Sequence, residues 1–519
     1  MNVPAPSVND LPRAPAVGLR HITRRFGSVV ANDDVSLDLA PGRVHALIGE
    51  NGAGKTTLMN VLYGLIEPDS GHLEIDGRRV AIRRPADAMR LGLGMVHQHF
   101  MLVDTLTVAE NVTLGAENAG RLGGLDRARA AREVRDASER FGLPVDPEAR
   151  VATLSVGAQQ RVEILKALRH GARVLILDEP TAVLTPQEVD DLFRVLRELR
   201  SQGSSIVLIT HKLGEVKSLA DEVTVMRAGR VVGGGPAADL GVERIAELMV
   251  GRPLAAHLDR AARPPAEPRL EVRDLVVRDD RRLPAVRGVT IEVRAGEIVG
   301  IAGVEGNGQH ELVECLSGLR RAEAGTVVID GRRCSTRSAR EHLEAGLAHV
   351  PSDRLRRGLV PDFTLAENLA LGEHRRRRFG PGPLLLRRAL DEEARPRLRD
   401  FDVRPPDPDA RATQLSGGNQ QKLVVARELT RGARVVLAAH PTRGVDLGAI
   451  EFIHRRLLGE RDAGRAVLLV SSELSEILTL SDRVLVLYEG RIVHETRPDR
   501  TDERTLGLFM TGRGAGRGD

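Results

Sequence analysis

One long segment occurs twice in this chain, and the second copy has lost particular side chains while keeping the frame around them. The first copy contains Gly49-Glu-Asn-Gly-Ala-Gly-Lys55-Thr56-Thr57, and 254 residues later stands Gly303-Val-Glu-Gly-Asn-Gly-Gln309-His310. Further landmarks follow in the same order. Tyr63-Gly-Leu65 matches Ser317-Gly-Leu319, and Leu106-Thr-Val-Ala-Glu-Asn111 matches Phe363-Thr-Leu-Ala-Glu-Asn368. Leu154-Ser-Val-Gly-Ala-Gln-Gln160 matches Leu415-Ser-Gly-Gly-Asn-Gln-Gln421, and the run Arg173 to Pro180 matches Arg434 to Pro441, now at an offset of 261. A repeat this long requires two copies of one fold, each burying its own core.

The seam, residues 253–268, is rich in Pro, Ala and Arg and reads as a linker. The expected layout is a disordered leader 1–16, a first domain 17–252, the linker 253–268, a second domain 269–513 and a disordered tail 514–519. The leader lacks the basic start and apolar stretch of a signal peptide. Within the first copy the apolar runs Val44–Ile48, Val174–Leu177, Ile206–Thr210 and Val223–Met226 alternate with helical segments, one of them Thr56–Gly64. That alternation predicts an α/β fold with a mainly parallel sheet in each domain. The charged, Ala/Arg-rich stretch Asp126–Phe141 reads as an inserted helical subdomain.

Composition narrows the class. No apolar run approaches the ~20 residues of a membrane span. The two cysteines, Cys315 and Cys334, form no metal-ligand pattern, which fits a reducing compartment. The net charge is +4 with both signs mixed, and aromatic residues make up only 2%, so no base-stacking surface and no nucleic-acid partner are expected. Lysine is scarce: Lys55, Lys166, Lys212, Lys217 and Lys422 are all there are, and one of them stands inside the glycine loop.

The first loop has the full phosphate-binding pattern. Backbone N–H groups of Gly49, Asn51, Gly52, Ala53, Gly54 and Thr57 would surround phosphate oxygens at a helix N-terminus. Lys55 would supply a point charge, and the Thr56 hydroxyl would ligate Mg²⁺. Val174–Leu177 runs into Asp178-Glu179, two carboxylates at the C-terminal edge of a parallel strand, where ligands bind in such sheets. Asp178 would hold Mg²⁺ through water, and Glu179 would orient and polarise an attacking water.

These elements, with Leu-Ser-x-Gly-x-Gln-Gln between them, Gln98 before and His211 after, resemble the ABC-type ATPases over residues 17–513. The resemblance implies the ABC variant of the fold: two tandem P-loop domains, each with a mainly parallel core sheet, an antiparallel β region and a helical subdomain. It implies ATP and Mg²⁺ as ligands. Gln98 would contact Mg²⁺ or water and signal to a membrane partner, His211 would sense the γ-phosphate, and Phe26 would stack on adenine. By itself Phe26 is equally compatible with a place in the core. His97 and His99, flanking Gln98, read as loop or packing residues.

In the second copy Lys55 becomes Gln309, Thr56 becomes His310, Asp178 becomes Ala439 and Glu179 becomes His440; Gln98 becomes Ser352 and His211 becomes Ser472. Losing groups that act as a unit should leave no useful hydrolysis. In the resembled family two domains pair head to tail, and each ATP lies between the P-loop of one and the signature loop of the other. The intact P-loop would thus meet Ser416, Gly417 and Gly418, with Asp446 contributed to the same site. The degenerate loop would meet Ser155 and Val156, with Thr185 at the Asp446 position. The defects sort by composite site.

Fused twin domains with one degenerate site resemble the ATPase subunits of carbohydrate-uptake importers. The strings Met95–Val103, Gly303–Gln309 and Ala438–Gly444 are similar to the branch serving nucleosides. That family's second domain usually has Glu where Ser352 stands, and often Gln where His440 stands. A transmembrane permease and an extracytoplasmic binding protein or lipoprotein are the implied partners, with the chain peripheral on the cytoplasmic face of the membrane. A simple sugar such as a pentose or galactoside is the alternative cargo, and a soluble twin ATPase acting on ribosomes the alternative role. The run His374-Arg-Arg-Arg-Arg378 suits a solvated loop, RNA or lipid headgroups.

Overall fold

The computed structural model describes residues 15–512 except 28, 99, 116–125, 170, 182, 183, 185, 252–265, 305, 335–337, 375 and 381–383. Most of the expected leader and linker, the tail, His99 and Thr185 therefore lie outside the described residues. The chain divides into two compact units, Met1–Ala256 and His257–Asp519.

Each unit is built on a six-stranded sheet with the same strand order. In unit one it runs Arg230–Pro236, Glu222–Arg227, Val44–Gly49, Ser205–Thr210, Val174–Asp178 and Leu93–Val96. All neighbours are parallel except the first pair, which is antiparallel. Unit two repeats it with Arg491–Thr496, Arg483–Tyr488, Ile298–Ala302, Ala466–Ser471, Val435–Ala439 and Leu347–Val350. Every residue of Val44–Gly49, Val174–Asp178 and Ser205–Thr210 is buried. That is why these segments read as continuous apolar runs: both faces of the parallel sheet are covered, one by helices and the other by a helix and a second sheet.

A second, antiparallel sheet of four strands accompanies each core: Val29–Leu39, Val17–Phe26, Ser70–Ile75 and Arg78–Val80 in unit one, and Pro284–Arg294, Pro268–Arg278, Ala324–Ile329 and Arg332–Cys334 in unit two. Ala16, at the end of the expected leader, is already tied down. It is buried, and its N–H donates to the Leu39 carbonyl at 2.8 Å.

The third layer is helical. In unit one it contains Val108–Thr113, Arg127–Phe141 and Val156–Arg169; in unit two, Leu365–Ala370, Arg387–Asp400 and Gly417–Leu429. The repeated Thr-x-x-Glu landmark has a local cause. Thr107 and Glu110, and again Thr364 and Glu367, form capping boxes that satisfy free N–H groups at the helix start. The Asn that follows is buried in both units. The amide of Asn111 bridges the backbone of Val103, and that of Asn368 the backbone of Val360.

Candidate functional site

The site of unit one is assembled at the C-terminal ends of its parallel strands. Val44–Gly49 leads into the glycine loop, and Gly54, with φ +96°, caps the helix Lys55–Leu62. A Cβ at Gly54 would collide with the Ala31 carbonyl, so only glycine fits this left-handed, crowded position. Gly308 repeats the device, with φ +98° and the Ala285 carbonyl as the obstacle. Asn51 and Gly52 are exposed at the loop tip, Ala53 is buried and Thr57 is half-buried.

Lys55 is 5% exposed, and its ammonium donates to the carbonyls of Gly49 (2.8 Å) and Glu50 (3.0 Å). Burial lowers its pKa, against the opposing pull of Glu179, Asp178 and Glu50. Thr56 Oγ1 donates to Asp178 Oδ2 at 3.1 Å, joining the first turn of the helix to the end of Val174–Asp178. Burial, with the charge of Glu179, pushes the Asp178 carboxyl above the ordinary range despite Thr56 and Lys55. A hydroxyl and a buried carboxylate side by side, next to a buried ammonium at a helix N-terminus, would suit a small hard cation beside a phosphate group.

Glu179 lies between two side chains drawn from different loops. Gln98 Nε2 donates to its Oε2 at 2.9 Å, and His211 Nδ1 stands 2.9 Å from its Oε1. Burial works to raise its pKa. The hydrogen bond and charge of His211, with Lys55 and Lys212, outweigh that and hold the carboxyl below the usual range. It is therefore ionised at neutral pH, and each oxygen keeps a lone pair for a water. Its backbone has φ +47°, unusual for a non-glycine residue, and its N–H is fixed to the Ile209 carbonyl at 2.9 Å.

Unit two keeps this backbone without the side chains. His440 has φ +45° and donates its N–H to the Val470 carbonyl at 2.7 Å. Gln309 is 5% exposed like Lys55, its amide nitrogen folded against Gly303, and its Oε1 has no hydrogen-bond partner among the described residues. His310 pairs with Glu314 at 3.1 Å. A cavity of about 260 Å³ remains here, lined by Gly306, Gln309, His310, Val313, Ser352, Ala439, His440, Arg443 and Val470. Among the described residues no carboxylate lines it, and the counterparts of Thr56 and Asp178 are His310 and Ala439.

The remaining expected residues fall as follows. Phe26 is not a core residue: it is 45% exposed at a strand end, with the Arg24 guanidinium 4.9 Å from its ring centre. His97 packs edge-on against Tyr63, as a packing residue should. Ser416 caps the helix Gly417–Leu429, accepting from the Asn419 N–H. Gly417 and Gly418 open that helix, with the Asp446 carboxylate beside Gly418. Val156, the Gly417 counterpart, is 37% exposed.

Sequence reasoning missed a buried support behind the site. Glu215 accepts from Thr181 Oγ1 and from Thr210 Oγ1 (2.7 Å), and Thr210 in turn accepts from the Lys212 N–H at 3.0 Å. This ties the loop after Glu179 to the loop bearing His211. Unit two repeats it, with Glu476 accepting from Thr442 Oγ1 at 2.8 Å and Ser471 Oγ accepting from the Glu473 N–H at 3.1 Å. The constant 261-residue offset of these positions was the available signal.

The comparisons with known proteins identify the family. The ABC transporter family matches at residues 32–182 and again at 286–443. The chain belongs to the ABC transporter family. Its fold is the tandem ABC ATPase pair, and its activity is ATP hydrolysis coupled to transport. The guanosine import ATP-binding protein NupO of Bacillus subtilis is 47% identical over 496 residues, covering 96% of this chain and 97% of that protein. The nucleoside import ATP-binding protein NupA of Lactococcus lactis is 45% identical, covering 95% and 97%. The glucose import ATP-binding protein TsgD13 of Haloferax volcanii is also 45% identical, covering 97% and 96%. Like other ABC ATPases, this one has P-loop domains that imply ATP binding and Mg²⁺-dependent catalysis. No helix among its described residues is long and apolar enough to cross a membrane.

Proposed function

We propose that this chain is the ATP-hydrolysing subunit of a nucleoside importer, with one working ATP site made from both domains. The observation that carries the single-site reading is the Gln98–Glu179–His211 cluster of unit one, whose place in unit two is taken by Ser352, His440 and Ser472. In this reading the domains span 17–252 and 269–513. Lys55 and the loop amides hold the β- and γ-phosphates, and Phe26 lies against adenine. Thr56, Asp178 and Gln98 hold Mg²⁺, which when bound neutralises phosphate charge. Glu179 takes a hydrogen bond from the attacking water, and His211 fixes Glu179 and meets the γ-phosphate. Ser416, Gly417 and Gly418 of the second domain close over the same nucleotide, with Asp446 beside them. ATP draws the domains together, and hydrolysis releases them.

The chain then works as a peripheral subunit on the cytoplasmic face of the membrane. It engages a permease near Gln98, and a binding protein outside the cell supplies cargo. Two relatives of nearly full length are named for guanosine and nucleoside import, which favours nucleosides. A simple-sugar cargo is the second reading, because the glucose-import relative is 45% identical, the same as NupA. Uptake of labelled nucleosides and of labelled glucose, ribose and galactose in a strain lacking this subunit separates them. Loss of nucleoside uptake alone supports the proposal, and loss of sugar uptake alone contradicts it.

A further inference from the structure

Unit two carries an arginine where unit one has none, and it touches both segments that the second domain would give to the working site. Two residues after Gln98 stands Phe100; two residues after Ser352 stands Arg354. The stretch from Ser352 to Thr364 is also three residues longer than that from Gln98 to Thr107. It contains a single turn of π-helix, Arg354–Gly358, fastened at three points. The Asp353 carboxylate accepts from the N–H groups of Leu355 (3.1 Å) and Arg356 (3.0 Å). Arg357 pairs with the buried Glu314, and the Arg427 guanidinium donates to the Gly358 carbonyl at 2.6 Å.

From this base the Arg354 side chain reaches acceptors on two other segments. Nη1 donates to the Arg443 carbonyl at 3.1 Å and Nη2 to the Gly444 carbonyl at 3.5 Å. These residues lead into Asp446, which caps the helix Leu447–Asp462 by accepting from the Ala449 N–H at 2.7 Å. Nε donates to Gln420 Oε1 at 3.4 Å, in the first turn of the helix that Ser416 caps. The guanidinium also lies against Gly417, where a Cβ would come within 2.7 Å of Nη2. The first copy, with Phe100 in place of the arginine, has Val156 at that glycine's position.

Ser416, Arg443 and Gly444 are exposed, so burial alone fixes this part of the domain weakly. A guanidinium is a planar fork whose donors have set directions, and it fixes the spacing of whatever they hold. We infer that Arg354 is a positioning residue of the working ATP site, holding the Ser416–Gly418 turn and the Asp446 loop in one relation so that both meet the nucleotide. The inference rests on the reading of a site shared by both domains.

The test measures ATP turnover, fluorescent-nucleotide binding and melting of the purified full-length chain. Arg354→Met keeps the aliphatic stem and removes the fork. It should lower kcat at least about tenfold, as misplacement of a site does, with KM for ATP and nucleotide affinity within about twofold of the wild type. Arg356→Ala, on the same turn but pointing its charge elsewhere, should keep turnover within about twofold, as an exposed substitution should. Ser416→Ala combined with Arg354→Met should turn over about as fast as the slower single variant, because the two act on one element. Arg354→Met within about twofold of wild-type turnover, beside an impaired Ser416→Ala, would overturn this inference alone. Losses that multiply in the double variant, or a loss matched by early melting and lost nucleotide binding, would make Arg354 a support of the fold only and overturn it too. A Ser416→Ala protein with wild-type turnover would remove the shared-site reading, and this inference with it.

Discussion

Glu179→Gln isolates the proposed chemistry with little disturbance of the fold. The amide matches the carboxylate in size, so the left-handed backbone at φ +47° and the bond to the Ile209 carbonyl stay as they are. Of the two acceptor oxygens, one becomes an NH₂ facing Gln98 Nε2 or His211 Nδ1. Gln98 can turn its own amide over and accept, so the cost in stability should stay within about 1 kcal/mol. The catalytic cost is larger. Loss of a general base removes a factor of ~10²–10⁴, equivalent to about 3–5 kcal/mol of barrier. The assay is steady-state phosphate release, run beside binding of a fluorescent ATP analogue; the chain has no tryptophan to interfere. Turnover should fall at least a hundredfold while nucleotide affinity is kept. His440→Gln, at the matching backbone position of unit two, should change turnover by less than about twofold. A Glu179→Gln protein with more than a tenth of wild-type turnover would refute the assignment of Glu179.

Two other perturbations have signed outcomes. Asp178 is held above the usual carboxylate range by burial, with Glu179 adding to it, so its ionised form costs the ligand-free fold stability above the ordinary Asp pKa and the cost vanishes as pH falls and the proton returns. Asp178→Asn keeps an acceptor for Thr56 and should raise the melting temperature in EDTA by about 2–4 °C at neutral pH, lose that gain in acid and abolish Mg²⁺-dependent turnover; calorimetry that finds a lower melting temperature contradicts this. Restoring a carboxylate to unit two by His440→Glu in the Glu179→Gln background should leave phosphate release within about twofold of that background. The metal ligands are still missing at His310 and Ala439, and a large recovery would mean that this site lacks only its base.

Much of the fold is legible because parallel strands buried on both faces leave uninterrupted apolar runs. Val44–Ile48, Val174–Leu177 and Ile206–Thr210 each come within one residue of the observed strands. The helix Arg127–Phe141 is marked by its Asp126 cap and the Gly142 that ends it. The contact partners Gln98, Glu179 and His211 are named by motif although 81 and 32 residues separate them. Polar groups whose partners exist only after folding are not legible. Glu215 sits between Thr181 of a loop and Thr210 at a strand end, and nothing in its neighbourhood of the sequence distinguishes it from a surface glutamate. Asn32 is similar: its amide donates to the Gly54 carbonyl, bracing the glycine loop from a different sheet. The exposure of Leu384–Leu386 is hidden for the opposite reason, since a Leu-Leu-Leu run before a helix reads as core.

The central claim is that one working site draws on both domains, and the two signature serines test it with a built-in control. Ser416 caps Gly417–Leu429 by accepting from the Asn419 N–H at 3.4 Å, and Ser155 accepts from the Ala158 N–H at 3.3 Å at the start of Val156–Arg169. Alanine at either position removes the same kind of cap, at about 1 kcal/mol, so the two variants should lose similar stability. ATP turnover should separate them. Ser416→Ala is predicted to lower it tenfold or more, and Ser155→Ala to leave it within about twofold. Equal losses from the two serines, or a larger loss from Ser155, would contradict a site shared in this sense.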